Sequence, residues 1–157
     1  MTIRPAVPAD IPVIASLVRE LAEYEKLAHQ AVASDADFAA SLFGTSPKAH
    51  ALIVEHEGQT AGFAIYFYNF STFLGRPGIY VEDVFIRPEF RRNGFGRAIF
   101  KYLAQQAVAE NCGRMEWWVL DWNEPAIEFY GSLGAVPMDE WTVQRLTGDA
   151  LKTFAES

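Results

Sequence analysis

The feature that most constrains this chain is a strand, a basic turn and a helix that follow one another between Ile79 and Glu110. Residues 79–86 form an apolar run typical of a strand, and residues 97–110 carry apolar side chains near the 3.6-residue period of a helix. Between them stands Arg91-Arg92-Asn93-Gly94-Phe95-Gly96. The first amides of a helix lack partners and carry partial positive charge, and glycine lets an anion approach the backbone. The segment therefore predicts a binding site for a phosphorylated ligand.

The spacing of the glycines decides which phosphate motif this is. A Walker A loop is absent, and the dinucleotide fingerprint fails because Ile99 stands where its third glycine belongs. The pattern that does match is Arg-x-x-Gly-x-Gly between a strand and a helix. It resembles the pyrophosphate-binding turn of the GNAT superfamily, the acetyl-CoA-dependent N-acetyltransferases. The alternative is a surface turn with two arginines that merely starts a helix.

A second segment, Asn123–Tyr130, follows another strand candidate at residues 114–121. Its first residue is a favourable helix cap, Pro125 is tolerated in a first turn, and Gly131 and Gly134 end the helix. Four side chains at positions i, i+3, i+4 and i+7 then share one helix face: Asn123, Ala126, Ile127 and Tyr130. This pattern resembles the last catalytic segment of the same superfamily, whose tyrosine sits beside the CoA sulfur. The alternative reading makes Tyr130 a core aromatic residue.

Short segments elsewhere resemble one group within that superfamily, the diamine acetyltransferases, which include the spermidine/spermine and thialysine enzymes. They are Ile3–Ala6, Glu20–Glu25, Glu82–Phe85 and Trp122–Pro125. The resemblance extends over most of the chain. It implies an α+β, GNAT-like three-layer fold with a central mixed, mostly antiparallel sheet flanked by helices, in a single domain over residues 1–157. It also implies a homodimer.

The resemblance further implies which residues bind acetyl-CoA. The acetyl end would lie against the strand residues Val84, Phe85 and Ile86. The phosphates would be bound, mainly by main-chain atoms, at Arg91, Arg92, Asn93, Gly94, Phe95, Gly96 and Arg97. The other side of the pantetheine arm would be lined by Asn123, Ala126 and Tyr130.

Acetyl transfer to an amine requires two proton transfers. An alkyl ammonium has a pKa of about 10.4, so its deprotonation at pH 7 costs roughly 4.6 kcal/mol and justifies a base. No serine or cysteine matches a nucleophile pattern, which favours direct attack by the amine. By resemblance, Glu82 is the base or the amine anchor, and Tyr130 protonates the CoA thiolate. Glu82 as a plain ammonium-binding carboxylate, or as a solvated strand residue, remains an alternative.

The acceptor implied by the resemblance is a small cationic amine: a diamine, a polyamine or a lysine-like amino acid. Its ammonium groups would be held by Tyr24, Glu25, Glu82 and Glu116. Two other functions stay open, because fold does not fix the acceptor. One is acetylation of peptides or proteins at an amino group, and the other is a CoA-binding regulatory module without catalysis.

Composition narrows the possible partners. Twenty acidic and thirteen basic residues give a net charge of −7, which disfavours nucleic acid and favours cationic ligands. No apolar run is long enough for a membrane span, and no signal peptide is apparent. The single cysteine, Cys112, excludes an internal disulfide and fits the cytoplasm. The three histidines and Cys112 have no metal-ligand spacing, so we expect no metal site.

The remaining elements follow from local signals along the chain. The pattern predicts a strand at Thr2–Pro5, a first helix capped by Asp10, a second helix opened by Ser34, a hairpin turn at Glu57-Gly58 and a last strand pair near residues 135–146. The run Phe63–Phe70 reads as a strand buried on both faces, the alternative being an exposed partner surface.

Overall fold

A computed structural model of the chain describes every residue from Met1 to Ser157. It divides into two compact units, Met1–Leu120 and Asp121–Ser157, which are described one after the other. The single domain expected over residues 1–157 remains a prediction. No helix combines the length and the apolar character that a membrane crossing requires.

The first unit is built on one five-stranded sheet. Its strands are β1 (Thr2–Pro5), β2 (His50–His56), β3 (Gln59–Ser71), β4 (Arg76–Ile86) and β5 (Met115–Trp117). They lie in the order β1-β2-β3-β4-β5; the first four are antiparallel, and β5 runs parallel to β4. The predicted mixed, mostly antiparallel sheet is confirmed. β5 is shorter than the strand predicted at residues 114–121.

Helices cover both faces of this sheet. They are α1 (Ile11–Tyr24), α2 (Asp35–Phe43) and α3 (Phe95–Ala109). One face packs on α1 and α2 through a buried apolar cluster: Ile14, Leu17, Leu42, Ala51, Ile53, Phe63, Ile65 and Phe85. On the other face Phe100 of α3 packs against Trp117, with ring centroids 4.8 Å apart, and Gln106 donates to the Tyr66 hydroxyl. Burial of each isoleucine, leucine or phenylalanine side chain in these contacts contributes about 1.5–3 kcal/mol. The three-layer arrangement of α+β type is confirmed.

Local turn and cap chemistry explains where several elements begin. Asp37 N–H donates to Ser34 Oγ at 3.2 Å while Ser34 N–H donates to the Asp37 carboxylate at 2.8 Å, so the predicted cap of α2 is confirmed. Glu57 and Gly58 have φ values of 51° and 77°, which suits a two-residue hairpin turn between β2 and β3. Asp10 precedes α1, but its carboxylate bonds to Arg4 and the Val7 amide instead of capping the helix.

The long strand β3 is buried over only part of its length. Residues 63–66 are buried, whereas Tyr68 and Phe70 are exposed. The expectation of burial along the whole run Phe63–Phe70 is therefore wrong for its second half. The reason is that this half of β3 and the start of β4 form a hairpin arm with exposed side chains at its tip, Phe73 and Leu74 among them.

An irregularity in β4 sets the direction of its side chains. Ile65 pairs with Asp83 and Tyr66 pairs with Val81, so Glu82 is an extra residue with no partner on β3. Cross-strand partners share a face, so Asp83 lies on the α1–α2 face with Ile65 and its neighbours. Val84 pairs with Ala64 and lies on the opposite face.

The second unit contains two helices, α4 (Glu124–Ser132) and α5 (Gly148–Glu156). The Asn123 side chain accepts a hydrogen bond from the Ala126 amide at 3.4 Å, and Pro125 lies in the first turn, as predicted. Gly134, with φ of 92°, follows the end of α4, but Gly131 lies within the helix. The left-handed φ of Gly134 is one that residues with a Cβ rarely adopt.

The predicted strand pair near residues 135–146 is wrong. Residues 135–147 form no strand, and α5 follows them. Apolar side chains such as Val136, Met138 and Val143 gave the strand-like pattern, but all three are exposed. A strand requires a hydrogen-bonded neighbour as well as a pattern, and this segment has none within the chain.

Candidate active site

The two halves of β4 differ in their neighbours. β5 pairs with β4 only at Ile79, Tyr80 and Val81, so no strand faces this side of β4 from Glu82 to Ile86. Arg87 N–H donates to Ala61 O at 2.8 Å, and hydrogen-bonded pairs alternate along an antiparallel ladder. The N–H and C=O groups of Val84 and Ile86 therefore point away from β3. We call residues 82–86 the open half of β4; its free edge can pair with an extended ligand.

The turn between β4 and α3 presents unpaired amides. The backbone N–H groups from Arg92 to Gly96 donate to no protein oxygen, and no side chain caps α3. Asn93 fixes the turn from within, because its side-chain amide donates to Phe90 O at 3.0 Å and to Arg91 O at 3.3 Å. Unpaired amides at the start of a long helix form a site for an anion. The residues predicted to bind phosphate by main chain are thus brought together.

Gly94 keeps the approach to these amides open. Its φ of 75° is left-handed, and a Cβ placed on it would meet no atom within 4 Å. Arg92, two residues before Gly94, also has a positive φ, of 67°, which turns the chain so that successive amides can face one ligand. Residues other than glycine adopt this conformation at a cost.

The three arginines of the turn have different surroundings. All of Arg91, Arg92 and Arg97 are exposed. Arg91 folds back along β4, where its Nε donates to Ile86 O at 2.9 Å. Its guanidinium carbon lies 5.0 Å from the centre of the Tyr24 ring and 5.5 Å from the centre of the Phe85 ring. Arg91 as a phosphate-binding residue therefore remains a prediction, and in this structure its side chain contacts the aromatic rings.

Three carboxylates lie near one another beside the open half of β4: Glu25, Glu82 and Asp83, which we call the acidic cluster. Burial and the negative charges of Glu82 and Glu25 raise the pKa of Asp83 to about 7. Burial also raises the pKa of Glu25. Asp83 forms no ion pair with a basic side chain. A bound ammonium group would stabilise the ionised forms of these carboxylates. The structure thus brings together two of the predicted amine-binding carboxylates, Glu25 and Glu82.

Asp83 is the residue that the sequence reasoning missed. The sequence places it in a strand beside apolar residues, where the alternation of side chains sets Asp83 and Phe85 on the same face. An acidic residue on the core face of a strand is a signal, since burial of a carboxylate without a partner raises its pKa. Perturbed pKa values concentrate at functional sites.

Tyr24 and Glu116 occupy the borders of this region. Tyr24 ends α1, directly before Glu25, and its ring is partly exposed beneath Arg91. Glu116 pairs across the strands with Tyr80, whose pKa is raised by burial and by the charges of Glu82, Glu116 and Asp83. The Glu116 carboxylate bonds to Arg114 Nε at 3.1 Å and to the Asn69 side chain at 3.2 Å. Its role in substrate binding remains a prediction.

The second unit carries the other predicted site residues. Asn123 is buried and holds the first turn of α4, while Ala126 and Tyr130 follow on the same helix. Their spacing along α4 agrees with the sequence-based face. Their predicted contacts with the CoA arm and its sulfur remain predictions. No group of three or more histidine, cysteine, aspartate or glutamate side chains is arranged to hold a metal ion.

Comparisons with known proteins agree with this geometry. The model of the Acetyltransferase (GNAT) family matches residues 15–135. A thialysine N-epsilon-acetyltransferase from Bos taurus is 38% identical, over 98% of this chain and 96% of that protein. The L-ornithine N5-acetyltransferase NATA1 from Arabidopsis thaliana is 33% identical, over 97% of this chain and 86% of that protein.

A solved structure is similar over the same extent. It is an integron cassette protein from the mobile metagenome of V. cholerae, with a TM-score of 0.83 and 27% identity, and the match covers 99% of this chain and 98% of that one. The sheet order, the open half of β4 and the Arg-x-x-Gly-x-Gly turn thus occur in a chain whose relatives are named acetyltransferases. This chain belongs to the GNAT acetyltransferase family.

Proposed function

We propose that this enzyme transfers the acetyl group of acetyl-CoA to a primary amine of a small cationic substrate, by direct attack within a ternary complex. A diamine, a polyamine or a lysine-like amino acid is the substrate class. The observation that carries the proposal is the acidic cluster beside the open half of β4. It offers negative charge to an ammonium group where a strand edge is free to hold a thioester arm.

Acetyl-CoA binding would use main-chain atoms. The free N–H and C=O groups of Val84 and Ile86 would pair with the amides of the pantetheine arm. The unpaired amides from Arg92 to Gly96 would bind the pyrophosphate. Asn123 and Ala126 would line the other side of the arm. The bound thioester supplies the electrophilic carbonyl carbon.

The amine must lose a proton before it can attack. An ammonium group in water has a pKa of about 10.4, so a base with a pKa near neutrality lowers the barrier. Asp83 has this property, because burial and two neighbouring carboxylates raise its pKa to about 7. Glu82, the base or anchor expected from the resemblance, stands beside it at the bulge. We propose that the acidic cluster binds the ammonium and accepts the proton, with the division of roles between Glu82 and Asp83 left to experiment.

The second proton transfer protonates the CoA thiolate as it departs. The amine nitrogen bonds to the carbonyl carbon and releases a second proton to solvent, while the carbon–sulfur bond breaks and its electron pair passes to sulfur, which takes up one proton to form the CoA thiol. A thiol has a reference pKa of about 8.5, so less assistance is needed here than for the amine. We propose Tyr130 as the proton donor.

The names of the relatives support the substrate class. One is named for acetylation at the N-epsilon of thialysine and another for acetylation at N5 of L-ornithine. Both names describe an amino acid with an amine on its side chain. The net charge of −7 also favours a cationic acceptor through long-range attraction.

A panel of acceptors tests the proposal. Putrescine, spermidine, thialysine, lysine, ornithine and short peptides are supplied with acetyl-CoA, and release of the CoA thiol is measured. We expect turnover with at least one small amine. Turnover only with peptides would favour a peptide or protein acetyltransferase, and CoA binding without turnover would favour the regulatory module.

The role of Tyr130 has its own test. We expect Tyr130→Phe to lower kcat by about 100-fold or more, because it removes a proton donor, while acetyl-CoA affinity changes little. Tyr102→Phe on α3 is the matched control, since it removes the hydroxyl of a half-buried tyrosine outside the proposed site. Unchanged turnover in Tyr130→Phe would remove the assigned role.

A homodimer in the cytoplasm completes the proposal. The segment of residues 135–147, which lies in no helix or strand, exposes apolar side chains, Trp141 and Val136 being about three-quarters exposed. β5 also has a free edge, because it pairs with β4 alone. Such surfaces are typical of contacts with another chain. The free thiol of Cys112 fits a reducing compartment. Light scattering in solution tests the dimer.

A further inference from the structure

We propose that Arg91 couples the two substrate sites: its guanidinium lies against the aromatic side of the amine site and leaves it when CoA binds. This inference rests on the proposed function, since it concerns the same site. It assigns to Arg91 a role beyond phosphate binding. Arg91 becomes the residue that makes amine binding depend on the coenzyme.

The contacts of Arg91 carry the inference. Its guanidinium lies over the Tyr24 ring and beside the Phe85 ring, at 5.0 and 5.5 Å, and its Nε donates to Ile86 O at 2.9 Å. A cation within about 6 Å of a ring centre is attracted by the negative face of the ring. Tyr24 is also an aromatic residue proposed to hold the substrate ammonium. Arg91 therefore occupies the kind of position that an ammonium substrate requires.

Both contacts conflict with a bound acetyl-CoA and amine. The carbonyl of Ile86 belongs to the free edge of β4, where the pantetheine arm is proposed to pair, so the arm competes with Arg91 for this acceptor. The pyrophosphate, at amides that begin one residue after Arg91, offers the guanidinium a stronger, charge-assisted partner. CoA thus both displaces Arg91 from β4 and attracts it toward the turn.

The consequence for the amine follows from charge. With Arg91 over Tyr24, a second cation at this ring must displace the guanidinium or lie beside a like charge. Once Arg91 has moved to the phosphates, its guanidinium no longer competes with the amine at the Tyr24 ring. Because binding coupling is reciprocal, the amine should strengthen CoA binding by the same factor.

Calorimetry of amine binding tests this coupling. The probe is the amine with the fastest turnover in the acceptor panel, and it is titrated into protein alone and into protein saturated with coenzyme A, which lacks the acetyl group and cannot react. We expect the amine to bind about tenfold more tightly with coenzyme A. In Arg91→Met the affinity without coenzyme should rise, so that the two affinities agree within about threefold.

Arg92→Met is the matched control. It removes the same charge from the adjacent residue of the same turn, so coenzyme A should bind more weakly while the tenfold coupling persists. Thermal melting verifies that both variants are folded. Should Arg91→Met not fold, Arg91→Lys replaces it as the test, because lysine keeps the charge but loses the planar guanidinium fork. The coupling between amine and coenzyme A in Arg91→Lys should then fall toward that expected for Arg91→Met.

Two results would overturn the inference: equal amine affinity with and without coenzyme in the unaltered protein, or full coupling in Arg91→Met. Either can occur while the panel shows turnover, in which case the proposed function stands and only the role of Arg91 fails. An absence of turnover with every small amine would remove the proposed function, and this inference with it.

Discussion

The first and second halves of β4 have the same neighbour on one side and different surroundings on the other. Residues 79–81 lie between β3 and β5, so their backbone groups are used by the sheet. Residues 82–86 pair with β3 but have no neighbouring strand on the side of β5. They begin with a bulge and include the acidic residues Glu82 and Asp83. One strand thus pairs on both edges in its first half and presents a free edge and two acidic residues in its second. Loss of a neighbouring strand is what makes the backbone available to a ligand.

The largest expected effect concerns the charges of the open half. Asp83→Asn removes the group whose pKa lies near 7, so kcat/KM at pH 7 should fall about 100-fold. In the unaltered enzyme a base is active when deprotonated, so the rate should rise as pH increases through about 7, and this rise should be absent in Asp83→Asn.

Glu82→Gln distinguishes the role of Glu82 from that of Asp83 in accepting the proton. The charge of Glu82 raises the pKa of Asp83, so its removal should shift the rise in rate to lower pH. pH–rate profiles measure this. Should the rise disappear in Glu82→Gln and persist in Asp83→Asn, Glu82 would be the base and Asp83 an anchor.

A comparison of two glycines with positive φ tests whether the turn after the open half binds acetyl-CoA. Gly94→Val places a branched side chain at a left-handed residue above the unpaired amides, and we expect acetyl-CoA affinity to fall about 100-fold, equivalent to about 2.7 kcal/mol. Gly75→Val is the matched control, because Gly75 has a φ of +64° and equally open surroundings at the hairpin tip. Both variants should lose about 1–2 kcal/mol of stability per strained residue. An equal loss of affinity in both would argue against binding at the turn.

The stability of the free protein should reflect the buried Asp83. Its pKa is raised from 3.8 to about 7, so the folded state favours the protonated form, and stability is lost as pH rises from about 4 through about 7. Asp83→Asn should therefore be more stable than the unaltered protein at pH 8, by about 2–4 kcal/mol, and similar to it near pH 4. Denaturant titrations at both pH values test this; a difference independent of pH would contradict it.

The smallest effect is expected at Glu116, which lies on β5 beside residues 79–81, the half of β4 that pairs on both edges (the paired half). Glu116 lies opposite Tyr80 and is already bonded to Arg114 and Asn69. Glu116→Gln should change the KM for the amine by less than about threefold, the size of an exposed ion-pair effect. A tenfold or larger increase would extend the amine site into the paired half of β4.

Local chemistry explains which features could be predicted from the sequence. The hairpin at Glu57-Gly58, the cap at Ser34 and the turn at Arg91–Gly96 depend on neighbours within a few residues, and each is found where predicted. The bulge at Glu82 and the raised pKa of Asp83 depend on β3 and α1, which are distant in sequence. The segment near residues 135–146 failed because an apolar pattern cannot supply a partner strand.

Amide hydrogen exchange with and without coenzyme A tests the difference between the halves of β4 most directly. We expect the coenzyme to protect the amides of Val84, Ile86 and Arg92–Gly96, while those of residues 79–81 stay as slow as before. Exchange at residues 84–96 that does not change under saturating coenzyme would contradict the proposed binding site.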